Sequence, residues 1–247
     1  MSDRTRLDQL LVERGAFPSR ARAQAAVRAG FVRINGAAVS KPSATVPREC
    51  AIEIVGDVHD YVSRGALKLE AALRSFEIDP AGVTCLDLGA STGGFTDVLL
   101  RRGARKVYAV DVGTGQLHPK ILNDPRVVNL EKTHAKDLTV AIIPEPIDVI
   151  VCDVSFISLK KALPFALALA SDRSRLAALI KPQFELGPEK IGKGGLVRAS
   201  DAELAALLTE IAAWLRGEGW TPMGILESPV AGGDGNKEFL IGARRSA

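Results

Sequence analysis

The sequence predicts an α/β protein: a mostly parallel sheet covered by helices, preceded by a small α+β module. Three observations carry this. From residue 83 onward, short apolar runs alternate with helical patterns, the order that builds a parallel sheet buried on both faces. Residues 85–97, CLDLGASTGGFTD, pass from an apolar strand through a loop with three glycines into a new helical pattern. Sheets of this class use such a turn to cradle a nucleotide-like ligand. The first 60 residues instead show two short helical patterns and then short strands, too little to bury a large core alone.

The elements follow in order. Leu7, Leu10 and Leu11 stand at helical spacing, and Gly15 ends that helix. Ser19 is a candidate N-cap for a second helix that carries Arg20, Arg22 and Arg28 and stops at Gly30. FVRINGAAV predicts two strands joined by an Asn35-Gly36 turn, the strongest short hairpin signal. Lys41-Pro42-Ser43 gives another turn and CAIEIVG another strand. The polar stretch from 56 to 63 reads as a linker, so the expected domains are 1–60 and 61–247. The second starts with a helix, SRGALKLEAALRSF, and continues with the strand VTCLDLG and a helix from Gly94 to Arg102. KVYAVDVG, RVVNL and IDVIVCDVS follow as strands, then a helix over 160–170, then LAALIKPQF as a strand. After a helix from Asp201 to Arg216 come WTPMGILES and KEFLIGARR, with only SPVAGGDGN between them. With no helix to cross over, these last strands are expected to pair antiparallel at the sheet end.

Composition narrows the function. Cys50, Cys85 and Cys152 are far apart and odd in number, which argues against a disulfide framework. His59, His118 and His134 lack metal-ligand spacing, so no metal site is expected. The N-terminus, MSDRTRLDQL, has no signal-peptide core, and no run of about 18 apolar residues exists to span a bilayer. A cytoplasmic protein without a membrane partner is expected. The net charge of +3 is mild, but from Arg14 to Arg48 there are seven basic residues and no acidic one. That is the electrostatic footprint of a nucleic-acid binder.

The loop glycines are Gly89, Gly93 and Gly94. They match neither the dinucleotide fingerprint nor the phosphate-binding loop, and no Lys follows to meet a triphosphate. S-adenosylmethionine carries no phosphate and needs only a close backbone approach, which glycine permits. Asp111 closes the next strand, 24 residues after Asp87. There a carboxylate can accept both hydroxyls of a ribose, or simply cap a turn. Cys152 lies within a buried strand and reads as an apolar thiol rather than a nucleophile. Asp153 and Lys181 end their strands and face the crevice where open sheets place ligands.

Two resemblances complete the reading. The run RLDQLLVERGAFPSRARAQAAVRAGFVRINGAAVSKPSATV resembles the small RNA-binding module of ribosomal protein S-four, also found in pseudouridine synthases. The match rests on Arg6-Leu7-Asp8, Gly15, Ser19-Arg20, Ala23, Gly30, Val32, Asn35-Gly36 and Lys41-Pro42. It implies RNA contacts by Arg6, Arg20, Arg22, Arg28, Arg33 and Lys41. The segments YVSRGALKLEAAL, CLDLGASTGGFTD, VYAVDVGTGQL, VCDVSFISL, LIKPQFELG and GNKEFL are similar to ribose 2′-O-methyltransferases of the FtsJ type. More closely they resemble the TlyA family, ribosomal RNA methyltransferases historically named as haemolysins.

The resemblance implies a Rossmann-like S-adenosylmethionine-dependent methyltransferase fold. It places a Lys-Asp-Lys-Glu tetrad on Lys68, Asp153, Lys181 and Glu238. It places the cofactor on Asp87, Gly89, Ala90, Ser91, Thr92, Gly93, Gly94 and Phe95, with Asp111 and Val112 at the ribose, Asp137 near the adenine, and Asp153. The implied reaction is 2′-O-methylation of cytidine in ribosomal RNA. The 50S subunit and its 23S RNA are the favoured target, with 30S and 16S RNA second, and the free enzyme is expected to be a monomer. Lys181 is either the base that takes the hydroxyl proton or a charged group that stabilises the developing alkoxide. The 182–200 segment, with four glycines, is expected to be a substrate-side loop that orders on RNA. A non-catalytic assembly factor would not need the intact loop and tetrad, and a membrane toxin would need apolar segments that are not there.

Overall fold

The computed structural model describes residues 3–17, 19–28, 30–55, 61–232 and 235–246. Residues 56–60 of the expected linker lie outside them. The chain divides into two compact units, Met1–Asp60 and Tyr61–Ala247.

In the first unit, β1 (Arg4–Arg6) leads into α1 (Leu7–Glu13) and α2 (Arg20–Arg28). Then come β2 (Val32–Ile34), β3 (Ala37–Ala38), β4 (Thr45–Pro47) and β5 (Ile52–Ile54). Strand β2 pairs antiparallel with β3 and β5, and β1 with β4. Asn35 and Gly36 both have positive φ, 51° and 80°, as the tight turn between β2 and β3 requires. Leu7, Leu10 and Leu11 of α1 pack with Ala23, Ala26 and Val27 of α2 in one core. The short strands β1 and β4 were not predicted: three polar or mixed residues are too few to show a period of two.

A carboxylate is hidden in this unit. Asp8 is 0% exposed and accepts from Arg6 Nε (3.0 Å) and Nη2 (2.9 Å), Arg20 Nη2 (3.0 Å) and Gln24 Nε2 (2.7 Å). Arg6 and Arg20, expected to face RNA, are therefore clasped to Asp8. Arg22, Arg28, Arg33 and Lys41 are exposed.

The second unit opens with α3 (Gly65–Ser75), β6 (Thr84–Leu88), α4 (Gly94–Arg101) and β7 (Lys106–Val110). It continues with α5 (Pro119–Leu122), β8 (Val127–Leu130), β9 (Ile147–Cys152), α6 (Leu159–Leu167) and β10 (Ala170–Ile180). It ends with α7 (Pro182–Glu185), α8 (Asp201–Gly217), β11 (Trp220–Glu227) and β12 (Phe239–Arg245). The seven-stranded sheet has the order β11-β12-β10-β9-β6-β7-β8. Strands β6 to β10 pair parallel, and β12 lies antiparallel between β10 and β11.

The two faces of the sheet make two cores. Leu86, Ile150 and Leu176 face α6 and α8 through Leu159, Leu163, Ile211 and Leu215. Cys85, Val107, Val149 and Ala177 face α3 and α4 through Leu69, Leu73, Val98 and Leu99. Each fully buried leucine here contributes roughly 2 kcal/mol of burial. Two predicted boundaries are corrected. Helix α6 stops at Leu167, and β10 begins at Ala170, its polar start SDRSR concealing the strand. Lys181 ends the strand run, because Pro182 fits the first turn of a helix and opens α7.

Candidate active site

The glycine-rich loop lies where β6 meets α4. Gly89 has φ +87°, and a Cβ there would sit 2.6 Å from the Asp153 carbonyl oxygen. The two backbones are in contact, so only glycine fits, in shape and in conformation. Gly93, φ +91°, caps α4 against Leu117 and Ile121. Asp111 follows β7 and accepts from Ser91 N (2.8 Å) through Oδ2 and from Gly113 N (2.7 Å) through Oδ1. It thereby holds the loop, and each oxygen keeps a second acceptor direction for a ligand hydroxyl.

Two adjoining lobes open above these strand ends, of about 310 and 350 Å³. They share Gly89, Ser91, Asp153 and Ser155. The first is lined by Ser63, Arg64, Lys68, Thr92, Phe95 and Lys181 among others. The second is lined by Asp111, Val112, Gln116, His134, Phe156 and Ile157 among others. A shared floor of close-approached backbone, with an acceptor carboxylate in the second lobe, fits a nucleoside that bears a non-phosphate tail.

Four charged side chains form two pairs at the first lobe. Lys181 Nζ lies 2.6 Å from Asp153 Oδ1 and donates to Ser155 Oγ at 2.9 Å. Lys68 Nζ lies 2.5 Å from Glu238 Oε2, with both residues buried. The topology explains the meeting. Asp153 and Lys181 follow the C-terminal ends of the parallel strands β9 and β10. Strand β12 runs the other way, so the residue before it, Glu238, reaches the same edge. Glu238 does not line the lobe itself; it meets it through Lys68.

Three expected cofactor residues sit apart from the lobes. Asp87 is 0% exposed beneath the loop, accepting from Thr96 Oγ1 at 2.6 Å, with Oδ1 lacking a partner. Burial pushes its carboxyl up to about 7. Asp137 is exposed on a single turn of 3₁₀ helix, and Thr133, His134 and Ala135 line the second lobe in its place. Gly93 turns away towards Leu117. Cys152 is fully buried, and burial raises its thiol pKa, so it packs rather than attacks.

The sequence reading missed Ser63, Arg64, Ser155 and Phe156. Phe156 is 90% exposed, has φ +65° and stacks at 5.1 Å on Phe184. Nothing in the run VSF marks such a conformation, which is costly for a bulky residue. The 182–200 segment is also more regular than expected, with α7, two turns of 3₁₀ helix and an Ile191–Val197 bridge.

A parallel sheet with an antiparallel penultimate strand, a glycine loop after β6 and an acid after β7 define a methyltransferase of the kind that uses an S-adenosylmethionine-type donor. The chain belongs to the FtsJ-like methyltransferase family, whose sequence profile matches residues 61–245; an S4 domain profile matches residues 5–49. It is 44% identical to the 16S/23S rRNA (cytidine-2′-O)-methyltransferase TlyA of Mycobacterium tuberculosis, over 99% of this chain and 91% of that protein. It is 42% identical to the putative rRNA methyltransferase YqxC of Bacillus subtilis, over 97% and 85%. Among solved structures, a putative hemolysin from Streptococcus thermophilus is 38% identical with a TM-score of 0.77, over 100% of this chain and 90% of that one. Among the described residues no helix is long and apolar enough to cross a membrane.

Proposed function

We propose that this chain transfers a methyl group to the 2′-oxygen of a cytidine ribose in ribosomal RNA, with 23S RNA of the large subunit as the first target and 16S RNA as the second. The observation that carries the reading is the Lys181–Asp153 pair in the first lobe, with Asp153 on the wall shared with the second, backed by Lys68–Glu238. Gly89–Thr92 and Asp111 would hold S-adenosylmethionine, whose sulfonium would supply an electrophilic methyl and leave as a neutral thioether. The chain's own residues do the rest. Lys181 Nζ is ion-paired with Asp153 and donates to Ser155 Oγ, and its ammonium keeps an N–H for the attacking ribose oxygen. That contact orients the hydroxyl and stabilises negative charge as it develops. The proton that leaves the oxygen has the Asp153 carboxylate beside Lys181 to accept it, the ammonium staying charged. Lys68, neutralised by Glu238, fixes the floor of the lobe.

In the first unit, Arg22, Arg28, Arg33 and Lys41 supply exposed positive charge for RNA phosphates. Arg6 and Arg20 keep their outward-facing atoms for the same task while clasping Asp8.

The test is incubation with methyl-labelled S-adenosylmethionine and separated 30S and 50S subunits that lack the modification. Alkaline digestion follows. Label in an alkali-resistant dinucleotide supports the reading, and the labelled subunit names the target. Alkali-sensitive label on a base refutes it.

A further inference from the structure

The segment before β12 is held from outside by one side chain. Asn236, 7% exposed, donates from Nδ2 to Gly195 O at 2.9 Å and accepts at Oδ1 from Val197 N at 2.9 Å. Both partners belong to a small hairpin over 190–198. That hairpin is closed by Gly192 N to Leu196 O and by Arg198 N to Lys190 O, each 2.7 Å. The Ile191–Val197 bridge leaves Val197 N unused. An amide is the one small side chain that offers a donor and an acceptor side by side for this pair.

The other side of Asn236 leads to the charged pairs. Its carbonyl accepts from Gly232 N at 3.0 Å. A Cβ on Gly232 would stand 2.6 Å from Glu238 Oε1, so the backbone at Gly232 packs directly on the Glu238 carboxylate. Ser228 N donates to Glu238 O at 2.8 Å and closes the neck of the same loop. Val230 and Ala231, on its near limb, line the first lobe.

We propose that Asn236 is a positioning residue: it ties the 190–198 hairpin to the 228–238 loop and so sets the Glu238 carboxylate on Lys68. The proposal rests on the methyl-transfer reading above. It makes the hairpin a support behind the segment that lines the first lobe at Val230 and Ala231, and it assigns to the Asn of the GNKEFL segment a task distinct from that of Glu238. Releasing the loop lets Glu238 shift, and a misplacement of about 1 Å in such a site costs up to about 10²-fold in rate.

The experiment measures single-turnover methylation of the substrate identified above by wild type, Asn236→Ala, Glu238→Gln and the double variant. Cofactor affinity by calorimetry and melting temperature accompany each. Asn236→Ala is expected to lower the rate constant by at least about tenfold, with the KM for RNA and the cofactor affinity nearly unchanged. In the Glu238→Gln background the same change is expected to add little, because the two act through one carboxylate. Val197→Pro is a second route for the case in which Asn236→Ala does not fold. It removes the N–H that Asn236 accepts along with the valine side chain, and Leu196, at φ −72° and ψ 132°, already suits a following proline. It is expected to reproduce the rate loss. A full rate in either folded variant, a change confined to KM, or an additive loss on Glu238→Gln overturns the inference. Inactive wild type on every RNA tested would instead strike the methyl-transfer reading itself.

Discussion

Asp8 in the first unit and Asp87 in the second are both 0% exposed, yet they are treated in opposite ways. Asp8 meets two arginines and a glutamine, and the Arg6 hydrogen bonds hold its carboxyl well below the usual range. Asp87 meets only the hydroxyl and backbone N–H of Thr96, and burial lifts it to about 7. The RNA-facing unit turns part of its positive charge inward, where it holds helices α1 and α2 together. The second unit keeps Lys68 and Lys181 at the cleft, paired with Glu238 and Asp153, and supports buried Asp87 with the Thr96 hydroxyl and backbone N–H. A buried carboxylate that meets cations is held ionised, whereas one that meets only Thr96 is pushed towards its neutral form.

The difference can be broken experimentally, and the cleft offers the largest effect. Lys181→Ala is expected to lower methyl transfer about 10³-fold while cofactor affinity and melting temperature stay close to wild type; a large stability loss would place Lys181 with Asp8 as a structural charge. Gly89→Ala comes next. Its Cβ would strike the Asp153 carbonyl from a left-handed backbone, so cofactor affinity by calorimetry is expected to fall by at least about tenfold.

Asp8→Ala reverses the pattern. It should destabilise the first unit by about 2 kcal/mol, a value reduced because the half-exposed arginines regain water. RNA affinity should fall with it, while cofactor affinity is unchanged.

The smallest effect is in the pH dependence. Asp8 has a lowered folded pKa, so its stabilisation is present above about pH 4 and is lost as pH falls through the folded value. Asp87 has a raised one. Its contribution is full below about pH 4 and is lost as pH rises through about 7. The catalytic unit should melt higher at pH 5 than at pH 8. Asp87→Asn should flatten that trend by roughly 1 kcal/mol, and an unchanged slope in circular dichroism melts would contradict the assignment.

The sheet and its ligand edge were legible because CLDLG, VYAVD and DVIVCD are apolar runs that end in polar residues, and because a parallel sheet puts every such end on one side. Asp153 and Lys181 could be placed from that rule alone. Glu238 could not: it precedes its strand, and it reaches the edge only because β12 runs backwards, which the missing crossover helix hinted at. Lys68 and Glu238 took their roles from family resemblance. Arg6 and Arg20 were assigned to RNA from the resemblance to the S4 module; that both also serve Asp8 had no signal in the sequence. Phe156 and Asn236 were illegible for different reasons. A left-handed backbone at a phenylalanine breaks a local preference, and an amide that bonds two residues some forty positions away leaves no periodic trace.

The Lys68–Glu238 pair joins positions 170 residues apart through a strand threaded between two others. Chains are made from the N-terminus and their domains fold as units. The cofactor loop, Asp153 and Lys181 are therefore synthesised well before Glu238 exists. On the proposed assignment an incomplete polypeptide carries a cleft with one pair unmade, and Lys68 without its counter-charge. Completion of the segment around Glu238 is then a built-in checkpoint: the cleft acquires its second pair only once the chain has been made through that residue.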